Sequence, residues 1–175
     1  MTITIREAAV EDVPDLSGLL DDYMQETFNC PWYGSPDALA TDGFGEKFEL
    51  ILAESSLGKA VGFCAWQPSY DLHHCITGAE IIDVYVAPAF RGHAVPLLLT
   101  VALASRVRER GGCFVKGQAV MRAGVKELYE RVAMVFPGAD CIVGGRAFRA
   151  LADLAGRPAR VVVRNLPDRS WNDQT

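Results

Sequence analysis

Apolar and polar positions change period several times along the chain, and each change marks an element. Ile3–Glu7 alternates as a short strand. From Ala9 to Tyr23, Val13, Leu16, Leu19, Leu20 and Tyr23 recur at helical spacing behind Glu11 and Asp12, acids that suit a helix N-terminus. Met24–Asp37, with FNCPWYGSP inside it, predicts a loop, and a short helix is expected near Pro36–Gly43. Phe48–Glu54 and Lys59–Gln67 read as strands joined by the hairpin loop Ser55-Ser56-Leu57-Gly58, and Ser69–Thr77 as a second turn.

The stretch Gly78–Gly112 organises the rest. Residues 79–86 are rich in Ile, Val and Tyr, and simple alternation puts Glu80, Ile82, Val84 and Val86 on one face. Pro88 ends the strand because it has no N–H to give a ladder. After the loop RGHAVP, an apolar run from Leu97 to Ala104 predicts a helix; Arg106, Arg108 and Arg110 suit its C-terminal dipole, and Gly111-Gly112 stop it. A strand feeding a helix through a short loop with an arginine aims backbone N–H groups at one point, a geometry that binds anions. Downstream, the pattern predicts strands at Cys113–Val120, near Cys141–Val143 and at Arg160–Arg164. Helices are expected at Ala123–Met134 and near Phe148–Ala155.

Val86-Ala87-Pro88-Ala89-Phe90-Arg91-Gly92-His93-Ala94-Val95 resembles the V-x-P-x-x-R-G-x-G-(I/V)-G signature of the GNAT superfamily, the acyl-CoA-dependent N-acyltransferases. Val86, Pro88, Arg91, Gly92 and Val95 match; Ala94 replaces a Gly, and Pro96 replaces Gly or Ala. Val125–Arg131 resembles the family's N-x-x-A-x-x-L-Y-E-K/R-x-G-F segment: Leu128, Tyr129, Glu130 and Arg131 match, whereas Arg122, Val125 and Ala133-Met134 depart. The resemblance covers roughly residues 3–165. It implies an α/β GNAT fold: a mixed sheet of about seven strands, helices on both faces, and fourth and fifth strands splayed to admit a pantetheine arm. One domain over 1–165 and a polar tail over 166–175 are expected.

The same resemblance implies acetyl-CoA as cosubstrate. Val84, Tyr85 and Val86 would meet the pantetheine, and Arg91, Gly92, His93, Ala94, Val95, Pro96 and Leu97 would cradle the pyrophosphate. Arg122 is a candidate partner for a CoA phosphate. Glu80 is implied as general base and Tyr129 as general acid toward the leaving thiolate. Read from the residues alone, Glu80 is either a carboxylate partly desolvated by Ile81 and Ile82, or an exposed acid after Gly78. Phe28, Trp32 and Tyr33 either wall an acceptor pocket beside Asp21, Asp22 and Glu26, or tuck a long loop onto the core.

Charge refines the picture. Net charge is −5, and Glu11–Glu49 holds ten acids against Lys47 alone, or −9, while residues 50–175 hold fifteen Lys/Arg against eleven acids, or +4. Nucleic acid is a poor partner by charge; the divided field either suits a cationic acceptor opposite an anionic cofactor or is simply a solvated acidic helix. Five cysteines without a CxxC pair predict reduced thiols, and Asp71, His73 and His74 form no metal-ligand pattern with a second cluster, so no metal is expected. No apolar run reaches membrane-span length and Met1–Glu11 lacks signal-peptide character, which predicts a cytoplasmic protein with no membrane partner. The expected function is acetyl transfer from acetyl-CoA to a primary amine of a small molecule or peptide, by direct attack in a ternary complex. A homodimer is compatible with this. The alternative is a non-catalytic GNAT-fold binding or structural protein with a decayed CoA loop.

Overall fold

The structure, a computed structural model, describes residues 3–118, 161, 164 and 165. The chain divides into two compact units, Met1–Val120 and Met121–Thr175. The first unit runs β1 (Ile3–Glu7), α1 (Val13–Phe28), α2 (Pro36–Asp42), β2 (Glu49–Ser55), β3 (Ala60–Asp71), β4 (Ile76–Val86), α3 (Val95–Glu109) and β5 (Phe114–Gly117).

The five strands form one sheet in sequence order. β1 to β4 are antiparallel neighbours, and β5 returns parallel to β4 through the α3 crossover. The sheet is therefore mixed, as expected; a count near seven is not reached among the described residues. Each hairpin turns through a residue of positive φ, a glycine in one case and a cysteine in the other. Gly58 (φ 73°) turns β2 into β3, with its N–H on the Ser55 carbonyl at 2.9 Å. Cys75 (φ 53°) turns β3 into β4, where Asp71 Oδ1 accepts from the His73 N–H at 2.8 Å. That Asx-type turn confines the loop to residues 72–75. The strands therefore run further than the turn predicted over Ser69–Thr77.

Two apolar layers sandwich the sheet. On one side α3 buries Val95, Leu99, Leu103 and Val107, spaced by four, against Ile51, Cys64, Trp66, Ala79 and Val86. On the other, Val13, Leu16 and Leu19 of α1 and Leu39 of α2 pack on Leu50, Leu52, Phe63, Ala65 and Tyr85. Phe63, Leu16, Leu52, Leu99 and Leu103 are fully buried, each worth roughly 1.5–3 kcal/mol of burial. α1 continues one turn beyond the expected end at Tyr23, because no breaker intervenes before Asn29 caps it in the left-handed conformation (φ 55°, ψ 43°).

β4 departs from plain alternation. Ala65 pairs with Asp83 and Trp66 with Ile81, so Ile82 is an extra residue, a β-bulge. Ala79 and Ile81 therefore share the α3 face with Val84 and Val86. Glu80 lies on the opposite face, which corrects the expectation that it shares a face with Val84 and Val86.

In the second unit, Val161 and Arg164 are helical, against the strand expected at Arg160–Arg164. The Asn165 N–H donates to the Val161 carbonyl at 3.2 Å and its Nδ2 to the same oxygen at 2.8 Å, so local bonds replace what a strand would need from a neighbour. The elements predicted at 123–134, 141–143 and 148–155, with Arg122 and Tyr129, lie outside the described residues.

Candidate functional site

The site grows from the end of β4. Parallel pairing with β5 covers Gly78↔Phe114 to Ile81↔Gly117, and Gln118 is already out of the strand. From Ile82 to Val86, β4 keeps its pairing with β3 only, among the described residues. Among the described residues this edge of β4 carries no strand partner beyond Ile81, and an edge of that kind can offer backbone donors and acceptors to an extended ligand.

Beyond Val86 the chain makes a single 3-10 turn, Pro88–Phe90, and enters α3 through two left-handed residues, Gly92 (φ 82°) and Ala94 (φ 56°, ψ 18°). The N–H groups of Gly92, His93, Ala94 and Val95 have no backbone acceptor among the described residues. They lie at the N-terminus of a fifteen-residue helix, where an anion is favoured. Pro96 sits in the first helical turn, where the N–H it lacks would have had no intrahelical partner.

Arg91 is exposed but engaged by the chain itself. Its Nε donates to the Val86 carbonyl at 2.9 Å, and its two terminal nitrogens donate to Glu26 Oε1 and Oε2 at 2.8 and 2.6 Å. The guanidinium also lies 5.6 Å from the centre of the Tyr85 ring, whose hydroxyl donates weakly to Glu26 at 3.4 Å. The Glu26 carboxylate holds the Arg91 guanidinium charged even more firmly than usual.

No family model matches the sequence, and no curated protein matches it. Solved structures do. A ribosomal-protein-alanine N-acetyltransferase from Brucella melitensis biovar Abortus 2308 superposes with TM-score 0.64 at 19% identity, over 82% of this chain and 99% of that one. The chain has the GNAT fold. Glucosamine-6-phosphate N-acetyltransferase from Arabidopsis thaliana gives the same figures: TM-score 0.64, 19% identity, and 82% and 99% of the two chains. A transcriptional regulator from Bacillus halodurans C-125 matches at TM-score 0.68 and 21% identity, over 82% of this chain and 99% of its own. The GNAT fold thus recurs in proteins of different description, and activity has to be argued from the site.

Along the GNAT strand–loop–helix, Val84, Tyr85 and Val86 through to Leu97 are contiguous as expected. The side chains of Val86 and Val95 are buried, so these two residues have backbone, not side chains, to offer a ligand. Glu80 is half-exposed and ion-paired with Lys116 across the β4–β5 ladder at 3.1 Å. The desolvated environment expected for it from Ile81 and Ile82 is absent, because the bulge turns Ile81 to the α3 core while Ile82 is exposed.

The desolvated carboxylate is Asp83 instead. It is half-buried and accepts a hydrogen bond from the Tyr23 hydroxyl at 2.7 Å. Burial pushes its carboxyl above the usual range, against the opposing pull of the Tyr23 bond. Burial and the Asp83 charge likewise push the Tyr23 phenol up, so it stays protonated as a donor. Behind Asp83, burial drives the Cys64 thiol up to about 12, which keeps it inert at neutral pH.

Aromatic rings wall this spot. Tyr23 stands 5.7 Å from Tyr85 and 6.0 Å, edge to face, from Phe28. Phe28 is largely exposed beside them. Trp32 packs into the α1–α2 core and is tied by its N–H to Asp21 Oδ1 at 2.9 Å, while Tyr33 is 76% exposed. The loop triad thus divides into one ring at the site, one in the core and one in solvent. Among the described residues no group of three His, Cys, Asp or Glu is placed to hold a metal ion, and no helix is long and apolar enough to cross a membrane.

Sequence reasoning missed Asp83, Tyr23 and the pairing of Glu26 with Arg91. The available signal for Asp83 was a lone acid inside the apolar run IIDVYV, a residue that such a strand accommodates only with a partner. Tyr23 and Glu26 are three apart on α1, hence on one helical face, which a longer α1 would have made visible.

Proposed function

We propose that the protein is a CoA-dependent N-acetyltransferase acting on a primary amine. The observation that carries this reading is the conjunction at β4: an edge opened by the bulge at Ile82, an anion-receptive loop at its end, and the half-buried Asp83 one residue past the bulge. The residues present fit an acyl-CoA. The β4 edge suits an amide-containing pantetheine arm, and the loop N–H groups with Arg91 suit a pyrophosphate. Pro96 supplies no N–H to that cradle. When bound, the thioester would supply an activated acetyl carbonyl and a thiolate leaving group.

Acylation requires an amine with its lone pair available, and most amines are protonated at neutral pH. In this reading Asp83 accepts the ammonium proton and Tyr23 holds the carboxylate in place. A carboxyl with a raised pKa is a better match to that task than an ordinary aspartate. Glu80, bound to Lys116, is left with a supporting electrostatic role. Tyr129 remains the proposed donor to the leaving thiolate and Arg122 a proposed phosphate partner, in a catalytic domain over residues 1–165 that works in the cytoplasm. The neighbours named N-acetyltransferases support the class of reaction.

The test is calorimetry with acetyl-CoA, followed by a thiol-release assay against a panel of primary amines. Binding in the micromolar range together with amine-dependent thiol release is expected. Binding without release from any amine would favour the non-catalytic reading; a folded chain that ignores acetyl-CoA would remove the enzyme reading.

A further inference from the structure

The one cation of the cofactor loop is already engaged by an anion of the chain itself. Glu26 meets Arg91 end-on, one carboxylate oxygen per terminal nitrogen, at 2.8 and 2.6 Å. This is the bidentate approach that a phosphate would use on the same guanidinium. In this approach the Arg91 Nε donates to the Val86 carbonyl and its guanidinium carbon stands 5.6 Å from the centre of the Tyr85 ring, contacts that favour this position over one turned to another anion. An arriving pyrophosphate must therefore share or take the position Glu26 holds, and until it does so it meets a carboxylate.

We propose that Glu26 is an internal counter-ion that competes with the cofactor pyrophosphate for Arg91 and so sets the affinity and order of ligand binding. The inference rests on the reading of this loop as a CoA site. Glu26 belongs to the last turn of α1, three residues after Tyr23, whose hydroxyl holds Asp83. Capture of Arg91 by pyrophosphate hands the Glu26 charge from the loop to the aromatic spot beside Tyr85 and Tyr23. There it adds to Asp22 and Asp83 in attracting a cationic amine. The acceptor side thus becomes more acidic once the cofactor is in place.

The experiment is calorimetric titration of CoA into the wild type, Glu26→Gln, Arg91→Ala and the double variant, with circular-dichroism melts confirming that each is folded. Glu26→Gln keeps the shape and removes the charge. It should bind CoA about tenfold more tightly than wild type, the scale of one charge-assisted contact. That gain should vanish in the Arg91→Ala background. Pantetheine, which lacks the pyrophosphate, should bind wild type and Glu26→Gln alike. Equal or weaker CoA binding by folded Glu26→Gln overturns the proposal and makes Glu26 a support for the loop. If no folded variant binds CoA, the cofactor reading itself falls and takes this one with it, a pattern distinct from the first.

Discussion

Ala94→Gly tests the account of the cofactor loop most directly. Ala94 caps α3 from the left-handed region, with φ 56° and ψ 18°, is exposed, and has no side-chain hydrogen bond to offset the strain. An L-residue held there costs about 1–2 kcal/mol through its Cβ, a penalty glycine escapes. Glycine gives back about 0.4–1 kcal/mol through the larger freedom of the unfolded chain. The net expectation is a gain of about 0.5–1 kcal/mol, a rise in Tm of roughly 1–4 °C for a chain of this size. Gly92→Ala is the mirror experiment. Gly92 has φ 82° and nothing within 4 Å of an added Cβ, so its penalty is backbone strain alone and Tm should fall by a similar amount. Thermal melts followed by circular dichroism, with urea midpoints at unchanged m-value, measure both. A lower Tm for Ala94→Gly, or shifts of the same sign in the two variants, would refute the left-handed assignment of this cap.

Three further outcomes are expected. Asp83→Asn should cut amine-dependent thiol release by about 10²–10⁴-fold, with Glu80→Gln far milder, and wild-type activity should fall as the pH drops through the raised Asp83 value. Because that value is raised, the native state holds this proton longer, so wild-type stability declines from the unfolded pKa up to the folded one and Asp83→Asn flattens that decline. Arg6, bound to Asp12 at 2.7 and 2.8 Å and to Glu54 at 2.8 Å, holds the Asp12 carboxyl below its usual range. That stability is present above the unfolded carboxylate pKa and is lost as pH falls through the folded one, so Arg6→Ala should cost about 1 kcal/mol at pH 7 after solvent screening and nothing in strong acid, by urea titration at each pH.

Much of this architecture was legible from periodicity. β1, α2 and the β2–β3 hairpin lie within a residue or two of their predicted bounds, except where β3 runs on to Asp71, because each combines a clear period with turn chemistry. The motif around Arg91 announced a strand, a short loop and a helix, and these three elements are present. What stayed hidden depends on facts a one-dimensional pattern does not carry. The bulge at Ile82 inserts one residue into an unbroken apolar run, so alternation counted through it assigned Glu80 to the wrong face. The Glu26–Arg91 pair spans 65 residues, and the Tyr23–Asp83 bond spans 60, so neither leaves a local signature. The backbone N–H of Trp32 bonds Asp21, eleven positions away, another contact that local periodicity does not show.

The bulge also gives β4 two reading frames. Upstream of Ile82, odd-numbered residues belong to the α3 core and even-numbered ones to the other layer; downstream the parity is reversed. Each half can accept substitutions under its own hydrophobic rule, so the segment beyond Ile82 can diverge while the segment that pairs with β5 stays fixed. An insertion or deletion inside the strand would invert the assignment for everything on one side of it. Variation along this strand should therefore proceed by exchange of side chains that keep to the face rule of each half, with Asp83 held, and very rarely by a change in length.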